Sequence, residues 1–210
     1  MKKIIMIIVL LFSISEADIS PKTVMKNVEK KLTATTTIRV EFEETYVWKL
    51  TGEKQTMKGE LLMKGYDKFY VKTEDQLIVS DGKTLWTYTV PSNRVLIDIL
   101  ENSDEELLPR QILFQFTKKY NSRLAGEVRF NKYDCYIIHL TSESPDVLIP
   151  EIKVWVDKKE WIPRKIEQID LDENSTIYIL SEVELNYKLN DEIFKFKIPA
   201  GSEVIDMRDK

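Results

Sequence analysis

Hydrophobic residues alternate with polar ones over most of this chain, which is typical of β-strands with one buried and one exposed face. The clearest run begins at Ile38 and ends at Trp48, with Phe42 on its apolar face and Glu44 as that face's only polar member. Similar runs predict strands at 57–64, 69–73, 77–79, 85–89, 94–100, 126–130, 133–140, 152–157, 164–170 and 176–185. Many short strands at close spacing predict a meandering antiparallel sheet, curved or barrel-like.

Two segments depart from this alternation. Residues 21–32 place Val24, Val28 and Leu32 at intervals of four, and Ser20 before Pro21 suits a helix start, so we predict a helix with one apolar stripe. Residues 103–120 are rich in apolar side chains and contain Pro109, which predicts a bent or broken helix that crosses the sheet.

Residues 77–88 form the most distinctive stretch. An apolar run over 77–79 is followed by Asp81-Gly82, which suits a tight turn, and then by a second alternating run that contains Trp86 and Tyr88. This pattern predicts a β-hairpin.

The N-terminus predicts export. Lys2 and Lys3 precede an apolar core at 4–14, which is shorter than the ~20 residues that a membrane-spanning helix needs. Residues 15–17 fit a small-residue cleavage site, so we expect a signal peptide over 1–17, cleaved after Ala17, and a single domain over 18–210. An uncleaved membrane anchor is the alternative.

Charge and cysteine content narrow the class of protein. The net charge of −4 argues against a nucleic-acid partner, which usually selects a basic surface. Cys135 is the only cysteine, so no intramolecular disulfide can form and no cysteine near the signal can carry a lipid. We expect a buried structural thiol and a monomer held together by its apolar core.

Catalytic chemistry has little support in the sequence. His139 is the only histidine and lies within a predicted strand, and no Gly-x-Ser-x-Gly motif or glycine-rich phosphate loop is present. One histidine and one cysteine do not suffice for a zinc site of the usual kind. We therefore expect a protein that is not an enzyme and needs no cofactor, with an exported hydrolase that uses His139 as the remote alternative.

Three segments resemble one known family in the same order along the chain. These are residues 59–64 followed by Asp67-Lys-Phe69, the hairpin at 79–88, and the C-terminal run at 194–204. They resemble the LolA family of periplasmic lipoprotein carriers. Where that family has an arginine and a proline, this chain has Gly65 and Tyr66, so closure of its lid would use Lys64 or no polar latch.

The resemblance implies a mainly β fold with an α lid: a curved antiparallel sheet that forms an incomplete β-barrel covered by helices. Apolar side chains would bind the acyl chains of diacylated or triacylated peptides, since each methylene removed from water is worth ~0.8 kcal/mol. The implied cavity residues are Phe42, Trp48, Met63, Phe69 and Val71, with Ile112, Leu113 and Phe116 from the lid. We expect Phe69→Glu to impair cargo transfer in a folded protein.

The implied partners are acylated lipoproteins, an inner-membrane ABC-type complex that releases them, and an outer-membrane acceptor of the LolB type. The expected function is therefore to carry lipoproteins across the periplasm to the outer membrane. The alternative is a periplasmic binding protein for a free lipid or glycolipid that uses the same fold.

Overall fold

The computed structural model describes residues 19–102, 109, 120–144 and 147–208. Among these residues are the α-helix α1 (Pro21–Thr33) and the 3₁₀ turns at Leu100–Asn102 and Asp191–Phe194. The strands are β1 (Thr37–Val47), β2 (Lys54–Lys64), β3 (Lys68–Thr73), β4 (Gln76–Asp81), β5 (Thr84–Thr89), β6 (Arg94–Ile99), β7 (Tyr120–Phe130), β8 (Tyr133–Ser142), β9 (Glu151–Asp157), β10 (Pro163–Ile169), β11 (Ser175–Leu185) and β12 (Glu203–Asp206). The helices of the described residues fall short of the length and hydrophobicity that a membrane-spanning helix requires.

All twelve strands belong to one sheet, in the order β12-β6-β5-β4-β3-β2-β1-β11-β10-β9-β8-β7. Strands β1 to β6 form one meander and β7 to β11 form another, and the two meet where β1 pairs with β11. The end strands β12 and β7 do not pair with each other, so the curved sheet stays open. This confirms the predicted incomplete barrel.

Two details of the sheet differ from the sequence prediction. The C-terminal strand β12 was not predicted, and it pairs with β6 in parallel, so the sheet is not antiparallel throughout. The tight turn of the β4–β5 hairpin is Gly82-Lys83 rather than Asp81-Gly82. Asp81 ends β4, and its carboxylate accepts hydrogen bonds from the backbone N–H groups of Lys83 and Thr84, which fixes the turn.

A β-bulge on β11 sets which face its apolar residues occupy. Strict alternation along β11 would place Glu182 on the same face as Leu180. Instead, the pairing with β1 skips Ser181, whose hydroxyl donates a hydrogen bond to the carbonyl oxygen of Glu41 at 3.0 Å. The shift brings Val183 to the face of Leu180, so the apolar surface continues along the strand.

Helix α1 covers one face of the sheet, which we name the inner face. The hydroxyl of Ser20 accepts a hydrogen bond from the N–H of Thr23, and Pro21 occupies the first turn, as predicted. The apolar stripe of α1 packs against residues of both meanders, and together they form a single buried hydrophobic cluster. The cluster contains Val24, Met25, Val28 and Leu32 of the helix and Ile38, Val40, Leu61, Met63, Phe69, Leu100, Ile138, Leu140, Ile152, Val154, Val156, Ile166 and Leu180.

The C-terminal segment helps to cover the opposite, outer face of β3 to β6. The 3₁₀ turn that contains buried Phe194 contacts β3 and β4, and the ring of Phe196 stacks on Trp86 with 6.0 Å between centroids. This arrangement explains why the aromatic residues of the hairpin are structural: Trp86 and Tyr88 face away from α1. The outer face also buries Leu62, Val79, Val95 and Ile97.

Gly59 makes room for an aromatic ring on the inner face. It lies opposite Phe42 in the β1–β2 pair, and a Cβ atom added to Gly59 would approach Phe42 Cζ to 2.5 Å and the carbonyl oxygen of Lys72 to 2.8 Å. Phe42 therefore lies over the glycine, and one of the two close contacts is with backbone that cannot rotate away.

A buried ion pair joins the ends of β9 and β10. Arg164 and Asp157 are 5% and 3% exposed, and Arg164 Nη2 donates to Asp157 Oδ2 at 2.9 Å. Burial acts to raise the pKa of Asp157, but hydrogen bonds from the Lys159 N–H, Arg164 and the Glu160 N–H outweigh it and lower that pKa. Burial also raises the pKa of the neighbouring Cys135 thiol to about 11, as expected of a structural cysteine.

We predict that Asp157→Asn lowers the free energy of unfolding by about 3 kcal/mol, because it leaves the buried Arg164 charge uncompensated. The control is Asp134→Asn, whose ion pair with Arg129 is exposed and should be worth less than about 1 kcal/mol. Because folding lowers the pKa of Asp157, its stabilising effect is present above about pH 4 and is lost as the pH falls. Urea denaturation between pH 3 and 7 measures both effects, and equal losses in the two variants would contradict them.

We also predict that Gly59→Ala lowers the free energy of unfolding by about 1–3 kcal/mol, because the new methyl group overlaps the Phe42 ring and the Lys72 carbonyl oxygen. Lys58→Ala, at the exposed neighbouring position, is the control and should change it by less than about 0.5 kcal/mol. Urea denaturation measures both, and unchanged stability in Gly59→Ala would show that the strands separate easily at this point.

Candidate functional site

Four of the predicted cavity residues lie together on the inner face. The strand register places Met63 opposite Phe69, and Val71 opposite Leu61, while Phe42 lies opposite Gly59. Their burial divides them into two pairs. Met63 and Phe69 are 0% and 1% exposed and belong to the closed core, whereas Phe42 and Val71 are only partly buried at its margin.

The burial of Phe69 changes what its substitution tests. A glutamate at a position that is 1% exposed would place a carboxylate inside the core, at a cost of several kcal/mol. Phe69→Glu therefore tests folding, and the expectation that this variant stays folded is at odds with the structure. The partly buried Phe42 and Val71 are the better positions for a test of binding.

The inner face becomes progressively more open along β1. Ile38 and Val40 are buried, Phe42 and Glu44 are partly buried, and Trp48 is 37% exposed. We name the partly open region the open wall. It consists of Phe42, Glu44 and Tyr46 on β1, Met57 on β2, Val71 on β3 and Tyr178 on β11, which the strand register places on the inner face.

Trp48 lies at the rim of the open wall. Strand β1 ends at Val47, and Trp48 belongs to the turn that follows, where its carbonyl oxygen accepts the N–H of Gly52. Its ring meets Tyr46 edge to face, with 4.7 Å between centroids. Alternation along β1 predicted a wall residue here, but the turn places Trp48 beyond the last paired position of the strand.

The carboxyl group of Glu44 and the phenol of Tyr178 lie side by side on the open wall. Glu44 pairs across the strands with Tyr178 on one side and Met57 on the other. Burial raises the pKa of the Glu44 carboxyl group. Burial, and then the negative charge of Glu44, raise the pKa of the Tyr178 phenol. Both side chains are therefore neutral more readily than they would be in water.

The sequence signalled Glu44 but not its neighbours. Glu44 was the one polar residue on the apolar face of its strand, whereas Met57 and Tyr178 join the wall only through the register of β2 and β11 against β1. No local pattern in one strand encodes that register. The predicted lid residues Ile112, Leu113 and Phe116 lie outside the described residues.

A cleft lies at the end of the sheet near the C-terminus of α1. This cleft of about 1180 Å³ is lined by Leu32, Thr33, Thr35, Thr36, Lys64, Gly65, Tyr66, Asp67, Lys68, Asp81, Gly82, Lys83, Asp191, Glu192, Phe194 and Lys195. Half of these side chains are charged, so the cleft is a poorer host for acyl chains than the open wall. Lys64 Nζ donates to both carboxylate oxygens of Asp191, at 2.6 and 2.8 Å, and so fastens the C-terminal segment to β2.

The surroundings of His139 argue against a role as a general base. A guanidinium group only donates hydrogen bonds, so the 3.1 Å contact of Arg123 Nη2 with His139 Nδ1 makes Nδ1 the acceptor. His139 Nε2 then carries the proton and donates to Glu151 at 3.0 Å. The lone pair that a hydrolase would need is already occupied. Within the described ranges, no group of three or more acidic, histidine or cysteine side chains is arranged to hold a metal ion.

Comparisons with known proteins agree with this geometry. The family described as "Outer membrane lipoprotein carrier protein LolA" matches residues 33–197. The outer-membrane lipoprotein carrier protein of Histophilus somni strain 2336 is 28% identical over 159 residues, covering 74% of each chain. Uncharacterized protein MJ0687 of Methanocaldococcus jannaschii is 29% identical over 160 residues, or 74% of this chain, and this chain spans only 45% of that relative's length.

A solved structure shows the same fold. The crystal structure of an uncharacterized conserved protein from Thermus thermophilus matches with a TM-score of 0.60 and 14% identity, covering 88% of this chain and 98% of that one. The similarity of fold accompanies the family match over most of the chain, from the end of α1 to the C-terminal segment. The chain belongs to the LolA family of lipoprotein carrier proteins.

Proposed function

We propose that this protein carries acylated lipoproteins and holds their acyl chains against the open wall. The observation that supports this most strongly is the continuous inner face, which runs from a closed core at Met63 and Phe69 to partly exposed apolar side chains at Phe42 and Val71. A face that closes completely needs no ligand. This one leaves apolar surface that a hydrocarbon chain would cover.

The same geometry suits release as well as capture. Each methylene that moves from water to an apolar surface is stabilised by ~0.8 kcal/mol, so even partial contact along an acyl chain gives substantial affinity. A wall that is open on one side covers only part of each chain. The protein therefore binds less tightly than a closed cavity would, and a stronger acceptor can withdraw the cargo.

In this role the mature protein would act in the periplasm, after cleavage near Ala17, as a monomer without a cofactor. An inner-membrane ABC-type complex would supply both the lipoprotein and the energy of its release from the membrane. An outer-membrane acceptor of the LolB type would receive it. The protein itself makes and breaks no covalent bond in this cycle, consistent with the engaged ring nitrogens of His139.

We predict that Val71→Glu weakens binding of a synthetic dipalmitoylated lipopeptide at least tenfold, because it places a carboxylate where the hydrocarbon lies. Lys72→Glu is the control, since the adjacent side chain of the same strand is exposed and faces the other way. Fluorescence titration of the labelled lipopeptide measures both variants. Circular dichroism and thermal melting establish that each is folded.

Equal affinity of Val71→Glu and the wild-type protein would remove the open wall from the site. If the wild-type protein binds free phospholipid or glycolipid but no lipopeptide, the alternative function as a carrier of free lipid replaces the proposal.

A further inference from the structure

Glu44 is a carboxylate on an otherwise largely apolar surface of the sheet. Its neighbours across the strands are Tyr178 and Met57, and among the residues that the structure describes none forms a hydrogen bond or an ion pair with it. A charged group that is removed from water and left unpaired destabilises the fold. An apolar side chain at this position would stabilise the fold of the apoprotein more than glutamate does.

The other glutamates of β1 show the contrast. Glu43 faces outward and lies 3.5 Å from Lys58 Nζ, and Glu41 accepts a hydrogen bond from Arg39 at 2.6 Å. Both have cationic partners on the exposed face of the sheet. Glu44 is the glutamate of this strand that points to the ligand side, and it is the one to which the described part of the chain supplies no cation.

The position of Glu44 along the wall matches the polar end of a lipid. The core lies on one side of it, beyond Phe42, and Tyr46 and the rim residue Trp48 lie on the other. Acyl chains that lie against Phe42 and Val71 would leave their headgroup at this level. The rings of Tyr46 and Tyr178 on the same face would favour a cation there through their π electrons.

We propose that Glu44 binds the protonated α-amine of an S-diacylglyceryl cysteine, the acylated N-terminus of a lipoprotein that carries no N-acyl chain. This inference rests on the proposed function and specifies its substrate class: diacylated rather than N-acylated cargo. The ammonium group would supply the missing cation, and its N–H groups would donate charge-assisted hydrogen bonds to the carboxylate. An N-acylated cysteine has no positive charge to offer and would leave Glu44 partly buried and without a cation.

The test uses two lipopeptides that differ only at the cysteine nitrogen: dipalmitoylglyceryl-cysteine peptide with a free amine, and the same peptide N-acetylated. The two carry identical long chains, so their difference in affinity isolates the ammonium group. We expect the wild-type protein to bind the free amine about tenfold more tightly. Glu44→Gln should abolish this preference by weakening the free-amine complex alone. Glu43→Gln, the matched change on the outer face, should retain it.

Folding does not confound this comparison. Glu44→Gln removes a partly buried charge and keeps the shape of the side chain, so its urea midpoint should equal or exceed that of the wild-type protein. Equal binding of both lipopeptides by the wild-type protein, or an unchanged preference in Glu44→Gln, would overturn the role of Glu44 and leave the carrier function standing. If neither lipopeptide binds, both proposals fail.

A third probe separates the source of the amine. Phosphatidylethanolamine also carries a primary ammonium group, and its N-acetyl derivative is the matched comparison. A Glu44-dependent preference for phosphatidylethanolamine without one for the free-amine lipopeptide would overturn the assignment of lipoprotein as the ligand.

Discussion

The pairing of β1 with β11 is the constraint on which the rest of this molecule depends. It joins two meanders into one sheet, and its bulge at Ser181 decides that Leu180 and Val183 face the helix together. A strictly alternating register would have turned glutamates of β11 toward α1. This single register produces the continuous apolar inner face. The helix α1 packs against one part of that face, and the open wall is another part of it.

Other elements cover only part of each face of the sheet, and the candidate site lies where the inner face is left partly exposed. The C-terminal segment covers part of the outer face with Phe194 and Phe196, and α1 covers part of the inner face with its apolar stripe. Beyond Phe42 the inner face is less fully covered, so the same strand that builds the core also presents a surface for ligand. Gly59 contributes to this arrangement, because its missing side chain leaves room for the Phe42 ring over the neighbouring strand.

Much of the fold could be predicted from the sequence, because the features in question depend on residues that are close together in the chain. The four-residue spacing in α1, its Ser20 cap and the alternation in β1 each depend on neighbours within one element, and the structure confirms them. The parallel pairing of β12 was not readable, since it joins residues about a hundred positions apart. The bulge in β11 was missed because its cause, a hydrogen bond from Ser181 to the backbone of Glu41, also lies in the tertiary structure.

The candidate site also combines features that the local sequence predicts with features that only the tertiary structure determines. Alternation brought Phe42, Met63, Phe69 and Val71 to one face, but only their burial separates core from wall, and burial depends on what α1 covers. Tyr178 entered the site through cross-strand register alone. Glu44 stood out in the sequence as an exception to the pattern of its strand, and in the structure it remains an exception, a carboxylate on the surface that would meet hydrocarbon.

Native mass spectrometry of the mature protein, purified from the periplasm, tests the central claim most directly. We expect a one-to-one complex with acylated polypeptide, which dissociates to release peptides that bear a diacylglyceryl-modified N-terminal cysteine. A protein that carries only free phospholipid or glycolipid would contradict it.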